Sequence, residues 1–416
     1  MVILAPKGTK DIFPQQVYKW HYVEKAFAEI CERYGFKEVR TPVIEHTELF
    51  QRGVGDTTDI VEKQMYTFMD YGNRSITLRP EGTSPVARAF VEHKQYVEVQ
   101  PSKYYYDIPC FRYEKPQSGR LREFHQFGIE IFGTTNMMAD AEVMALGFDF
   151  INEMGIKDVE LRINSIGCPS CRNIYREKLR EFLNPKYEKL CSTCKARYEK
   201  NPMRILDCKS EICQEQVKGA PVMLDYLCEE CEAAFISVKN NLDSYEIPFT
   251  VDPGIVRGLD YYTKTAFEFV TNSIGAQGTV CGGGRYDYLI EELGGPPIPG
   301  VGFGMGIERL LLVMEVNGVI IPEPSETDLF IAFIGEEGRD VALKLSHDLR
   351  KEGFSILMDT MSRNIKGQLK YADRLNVKRV AIIGEEELSQ NEVSIKDMVT
   401  GTQTKVSFEM LKDYLK

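Results

Sequence analysis

The strongest constraint on the fold lies between Lys103 and Gly133, where two long runs rich in Tyr, Phe and Ile alternate in character along the chain. Between them stands the polar segment Lys115–Arg120, with Pro116 and Gly119 as turn formers. This pattern predicts a long hairpin with a charged tip. Side chains alternate along a strand, so Gln126, Gly128 and Glu130 share one face while Phe127, Ile129 and Ile131 share the other. On the first arm Arg112 and Glu114 alternate with Phe111 and Tyr113 in the same way. A polar face held up by an apolar one is a pocket floor, and cross-strand pairing can bring a guanidinium beside a carboxylate and an amide. The competing reading is a solvent-facing sheet with ordinary ion pairs.

The rest of the 416-residue chain is long enough for two to four domains. Trp20, Val23, Phe27, Ile30, Cys31 and Tyr34 recur at helical spacing before Gly35, which predicts one amphipathic helix and its stop. Lys37 to Thr41 reads as extended. Between about Gly167 and Ser244 the chain turns helical, charged and cysteine-rich, as an inserted domain would. Strand-like, glycine-rich sequence returns from Phe249 to Gly306, followed by an apolar helix from Ile307 to about Val316 and a linker with Pro322 and Pro324. From Asp328 strands alternate with helices, which predicts a parallel α/β domain. The expected domains are therefore 1–166, 167–245, 246–325 and 326–416.

Hydrophobic residues at 43% and charged residues at 27% supply a sizeable core and exclude disorder or a fibrous repeat. The formal charge of −11 leaves no overall basic field, so a nucleic-acid partner needs local positive surface. No segment approaches the roughly 18 apolar residues that span a bilayer. Met1 to Lys10 carries no apolar signal region. Eleven cysteines, an odd number without a secretory signal, point to a reducing cytosol rather than a disulfide framework.

Several segments carry candidate chemistry. Arg79-Pro80-Glu81-Gly82-Thr83 sets a carboxylate in a turn, either to hold a substrate ammonium or simply to cap a helix. Arg257-Gly258-Leu259-Asp260-Tyr261-Tyr262 offers an arginine for a carboxylate or phosphate and two tyrosines that either wall a pocket or straddle a strand. Gly282-Gly283-Gly284 and the alternation Gly300, Gly302, Gly304, Gly306 strip side chains from the backbone and admit a flat ligand or another strand, with Arg309 close enough to lie over a base. Cys168-x2-Cys171, Cys191-x2-Cys194 and Cys228-x2-Cys231, with Cys208 and Cys213 between the last two, contain enough pairs for a tetrahedral zinc site. Cys168, Cys171, Cys191 and Cys194 are the candidate set, against simple burial in helices.

Taken together these segments resemble the histidyl-tRNA synthetases, class II aminoacyl-tRNA synthetases, over essentially the whole chain. Pro6 to Asp11 looks like the family's N-terminal signature, Tyr34 to Pro42 like motif 1, Phe111 to Gln126 like motif 2, and Gly302 to Arg309 like motif 3. Arg257 to Tyr262 is similar to the segment peculiar to the histidine-specific enzymes. The resemblance implies an α+β fold: an antiparallel-sheet catalytic core with a helical insertion, a C-terminal α/β anticodon-binding domain, and a homodimer with Pro42 at its interface. It implies that Glu81, Gly82 and Thr83 hold the amino group of histidine with Gln126, that Glu130 and Tyr261 bond the imidazole, and that Tyr262 lines the same pocket. Arg112 then contacts the α-phosphate of ATP, Arg257 that phosphate and the histidine carboxylate, and Arg309 the adenine, with Glu114 and Arg120 completing the site. ATP, Mg2+, L-histidine and tRNA(His) are the implied ligands, in the cytoplasm and away from any membrane. Local positive surface for tRNA is expected on the insert, at the hairpin tip, and at Arg363, Lys366, Lys370, Arg374, Lys378 and Arg379. Two alternatives stand beside this reading: a non-catalytic regulatory paralogue of ATP phosphoribosyltransferase, and a zinc-stabilised RNA-binding protein.

Overall fold

The computed structural model describes residues 2–416 except 56–57, 207, 209, 257, 275–277 and 324–326; Arg257 and Pro324 thus lie outside the described residues. The chain divides into two units, Met1–Ile321 and Pro322–Lys416.

In the first unit the strands are β1 (Lys37–Glu38), β2 (Ile44–His46), β3 (Tyr66–Met69), β4 (Ser75–Leu78), β5 (Ser102–Phe111), β6 (Glu123–Phe132), β7 (Val159–Ser165), β8 (Thr250–Val251), β9 (Thr263–Thr271), β10 (Thr279–Tyr286) and β11 (Gly300–Gly306). Eight of them form one sheet in the order β1-β5-β6-β11-β10-β9-β7-β8. Its interior pairings are antiparallel, and only the edge pairs β1/β5 and β7/β8 are parallel. The hairpin is β5 and β6, paired without a break from Ser102↔Phe132 to Phe111↔Glu123. Arg112 and Glu114 stand past the last pair rather than on the strand, because Glu114 N–H turns back to the Arg112 carbonyl (2.8 Å).

One face of this sheet makes the main core. Phe127, Ile129 and Ile131 bury there beneath the helices Pro14–Arg33 and Met138–Glu153. Phe27, from the periodic stripe of the first helix, stacks on Phe127 with ring centroids 4.3 Å apart. Gly35, at φ +80°, ends that helix. A second sheet, β2-β4-β3, leads into the helix Thr83–Glu92.

The insert leaves the large sheet after β7. Its helices Pro169–Leu183, Ser192–Lys200 and Glu211–Val217 enclose a small core of their own, with Tyr175, Leu179, Leu183 and Ile205. The helix Glu229–Ser244 begins in this core through Cys231 and ends in the main one, where Phe235, Val238 and Leu242 are buried.

The second unit carries β12 (Leu329–Phe333), β13 (Ile356–Met358), β14 (Arg379–Ile383), β15 (Glu392–Asp397) and β16 (Gln403–Ser407), ordered β13-β12-β14-β15-β16. Leu329 and Ile331 pack on one side with Ala342 and Leu349 of the helix Gly335–Lys351, and Phe330 and Ala332 on the other with Ala372 of the helix Ile365–Arg374. The sheet is not wholly parallel: β15 runs antiparallel to β14, and β16 antiparallel to β15. Only Gly384, the short helix Glu385–Gln390 and Asn391, at φ +54°, separate β14 from β15, too little chain for a parallel crossover. Among the described residues no helix is long and apolar enough to cross a membrane.

Candidate active site

The polar side of the large sheet floors a cavity of about 590 Å³, bounded by β6, β9, β10 and β11. Glu81, Thr83, Gln126, Tyr261 and Tyr262 line one part of it, and Arg112, Glu114, Arg120 and Arg309 also line it. Glu81 accepts from the backbone N–H groups of Thr83 (2.7 Å) and Ser84 (2.9 Å), so it caps the helix Thr83–Glu92 and walls the cavity at once. Gly82 packs on the Tyr106 ring, where any Cβ would overlap it.

Glu130 lies behind this wall, 0% exposed. One of its oxygens accepts from Thr83 Oγ1 (2.7 Å) and the Tyr106 hydroxyl (3.0 Å), and the other from the Tyr286 hydroxyl. Burial pushes its carboxyl up to about 8, against the pull of these hydroxyls toward the charged form. Tyr261 and Tyr262 do not straddle a strand. They precede β9, are 5% and 4% exposed, and their rings lie 4.6 Å apart.

The arginines form the opposite charge. Arg112 donates from Nε to the Pro80 carbonyl (2.7 Å) and lies over the Phe124 ring, its guanidinium carbon 5.1 Å from the centroid. Arg120 is ion-paired with Glu114 across the hairpin tip. Arg309, in the first turn of the helix Ile307–Val316, donates to the Thr279 carbonyl (2.7 Å). Burial, with Arg120 nearby, holds its pKa below the ordinary arginine value.

The glycine alternation serves a purpose not read from spacing. Gly302 pairs with Glu130 across β11 and β6, and a Cβ there would overlap the Glu130 carboxylate. At Gly304 it would overlap the Gln126 amide. The bare backbone of β11 therefore makes room for the polar side chains of β6. Tyr106 and Tyr286 were also missed. The one visible signal for Tyr106 is that it faces Gly128 in the hairpin register. Arg172, one residue past Cys171, donates Nη1 to the Tyr262 carbonyl (3.0 Å) and so ties the insert to the cavity wall.

The cysteines of the insert converge in two groups, Cys168, Cys171, Cys228 and Cys231, and Cys191, Cys194, Cys208 and Cys213. The candidate set Cys168, Cys171, Cys191 and Cys194 is thereby corrected, since its two pairs belong to different groups. The helix Glu229–Ser244 brings its own pair back to where the chain leaves β7, while Cys191 and Cys194 meet the chain that follows the helix Ser192–Lys200.

This sheet, with its cavity between a capped carboxylate and a set of arginines, defines a class II aminoacyl-tRNA synthetase core, followed by a C-terminal anticodon-binding domain. The chain belongs to the histidyl-tRNA synthetase family, whose profile matches residues 8–310, with an anticodon binding domain matching residues 328–416. The Histidine--tRNA ligase of Caldanaerobacter subterraneus subsp. tengcongensis is 55% identical over 416 residues, covering 100% of both chains. That of Clostridioides difficile is 52% identical over 100% of this chain and 99% of its own. The structure of apo S. aureus histidyl-tRNA synthetase matches with a TM-score of 0.84 and 41% identity over 100% of both chains. The structure of an ATP phosphoribosyltransferase regulatory subunit/histidyl-tRNA synthetase from Bacillus halodurans shares 21% identity at a TM-score of 0.64 over 92% of this chain and 98% of its own, a likeness of fold alone.

Proposed function

We infer that the protein is a histidine–tRNA ligase, which activates L-histidine with ATP and transfers it to the 3′ end of tRNA(His). The reading is supported by one cavity that brings Glu81, Thr83, Gln126 and Tyr261 together with Arg112, Arg120 and Arg309, in a chain matched end to end by relatives of that name. The regulatory paralogue is not favoured.

Glu81, Gly82 and Thr83 with Gln126 hold the amino group of histidine. Tyr261 and Glu130 serve the imidazole, one hydroxyl partner of Glu130 giving way to the ring N–H, and Tyr262 closes the pocket. Arg112 and Arg257 neutralise the α-phosphate, Arg257 also orients the histidine carboxylate, and Arg309 stacks on adenine beside Glu114 and Arg120. The histidine carboxylate oxygen attacks the α-phosphorus and pyrophosphate leaves. The terminal ribose hydroxyl of tRNA then attacks the adenylate carbonyl and AMP leaves. No protein nucleophile is needed, so catalysis is positioning and charge stabilisation. Magnesium takes one or two carboxylates beside substrate phosphates, a kind of donor that Glu114 and Glu268 supply on this cavity wall; bound there it would neutralise phosphate charge.

The protein works in the cytoplasm as a homodimer. Ile44, Phe68 and Met69 leave the small β2-β4-β3 sheet with exposed apolar side chains, which supports a partner on that face. Lys366, Lys370 and Arg374 stand exposed at four-residue spacing on one helix and supply local positive surface for tRNA.

The test is pyrophosphate exchange into ATP with histidine and with each other amino acid in turn. Exchange with histidine alone, abolished in Arg257→Ala, is the expected result. A folded wild type that binds histidine without exchange would refute the ligase.

A further inference from the structure

We propose that the insert holds two structural zinc ions, one in Cys168, Cys171, Cys228 and Cys231 at its base, the other in Cys191, Cys194, Cys208 and Cys213 at its centre. In each group the four sulfurs all lie within 4.8 Å of one another. Cys168 and Cys171 are 3.5 Å apart at sulfur, and Cys191 and Cys208 4.0 Å. Four thiolates around one zinc at about 2.3 Å stand about 3.8 Å from each other, which these spacings match. A disulfide joins sulfurs in twos and leaves unexplained why four converge twice.

The surroundings are built for thiolates. Cys168, Cys191 and Cys228 each stand at the N-cap of a helix, where the dipole favours negative charge. Backbone N–H groups point at sulfur: Cys228 to Cys171 (3.1 Å), Cys194 to Cys191 (3.4 Å) and Cys191 to Cys213 (3.3 Å). Gly167, at φ +64°, turns the chain into the first group where a Cβ would come within 2.6 Å of Cys171 Cβ. All-sulfur sets with no histidine or carboxylate select zinc over magnesium or calcium and leave no open coordination position, so the role is structural.

Each site also anchors a part of the active-site unit. Arg172 follows Cys171 and holds the Tyr262 carbonyl. Arg197 and Lys200, on the helix that contains Cys194, pair with Asp59 (2.9 Å) and Glu62 (2.6 Å).

The experiment is elemental analysis of the full-length protein, purified without added metal and passed over a chelating resin. Two zinc ions per chain are expected, one in Cys228→Ser, one in Cys208→Ser, and two in Cys31→Ala, whose cysteine lies in neither group. On the wild type alone, an organomercurial should release two zinc ions, read with a zinc-sensitive dye, so the result does not depend on how the variants fold. One zinc ion or none in folded wild type, iron in place of zinc, or disulfide-linked cysteines would overturn the proposal.

Discussion

Glu130 is fully buried, and burial outweighs the three hydroxyls that favour its charged form, so it keeps a proton that an exposed carboxyl would lose. The unfolded chain releases this proton near pH 4.5, and the folded protein near pH 8. The group's contribution to stability is therefore complete below pH 4.5 and is lost as pH rises toward 8. Glu130→Gln should remove that loss, gaining on wild type by about 1 kcal/mol per pH unit within this window, whatever its absolute stability. Urea unfolding at a series of pH values measures it, and parallel pH profiles for the two proteins would contradict the buried acid. Gly302→Ala places a methyl against the same carboxylate. It should cost about 1–3 kcal/mol in the same assay and raise KM for histidine. The parity of Gln126 and Glu130 was legible because a strand repeats every two residues. The hydroxyls of Tyr106 and Tyr286 were not: for Tyr106 the hairpin was readable but its register was not, and Tyr286 reaches Glu130 from β10, a strand whose place beside β11 one sequence does not state.

At the scale of elements, the insert touches the cavity wall at Tyr262 through a side chain on its first helix, Arg172. Arg172→Ala should leave far-UV circular dichroism unchanged and raise KM for histidine about tenfold in pyrophosphate exchange, a loss of about 1.4 kcal/mol, with less effect on KM for ATP. Equal changes for both substrates would instead indicate a general loosening. The long hairpin and the helix Ile307–Val316 were readable because each spans enough periods for its apolar pattern to stand out. The turn that takes Arg112 and Glu114 off the strand is a matter of local hydrogen bonding, and the alternation continues past it without a mark. The reversal at β15 was hidden likewise, because the short polar helix before it resembles the start of another crossover. Cysteine spacing showed the pairs but not which pairs meet, a choice made by how the helices return.

For the whole molecule, an acidic chain must bind an anionic partner through restricted surfaces. Replacing Lys366, Lys370 and Arg374 together by alanine should raise KM for tRNA, reduce the salt slope of binding by about 2, and leave pyrophosphate exchange untouched. A change in exchange would mean that the variant had lost more than a tRNA contact. Ile44→Asp with Phe68→Asp should yield monomers by light scattering; an unchanged mass would place the dimer contact elsewhere. The change to regular strand and helix alternation from Asp328, after a linker with Pro322, was visible in the sequence; the structure divides into two units at Ile321/Pro322. The cysteine group at the base of the insert joins residues 57 positions apart, Cys171 and Cys228, where the chain departs from the large sheet and returns to it. The intervening segment is thus a looped excursion tied off at its neck. Insertions and deletions inside it, away from Arg172, the second cysteine group and the Arg197 and Lys200 ion pairs, should be tolerated without shifting the register of β7 against β9.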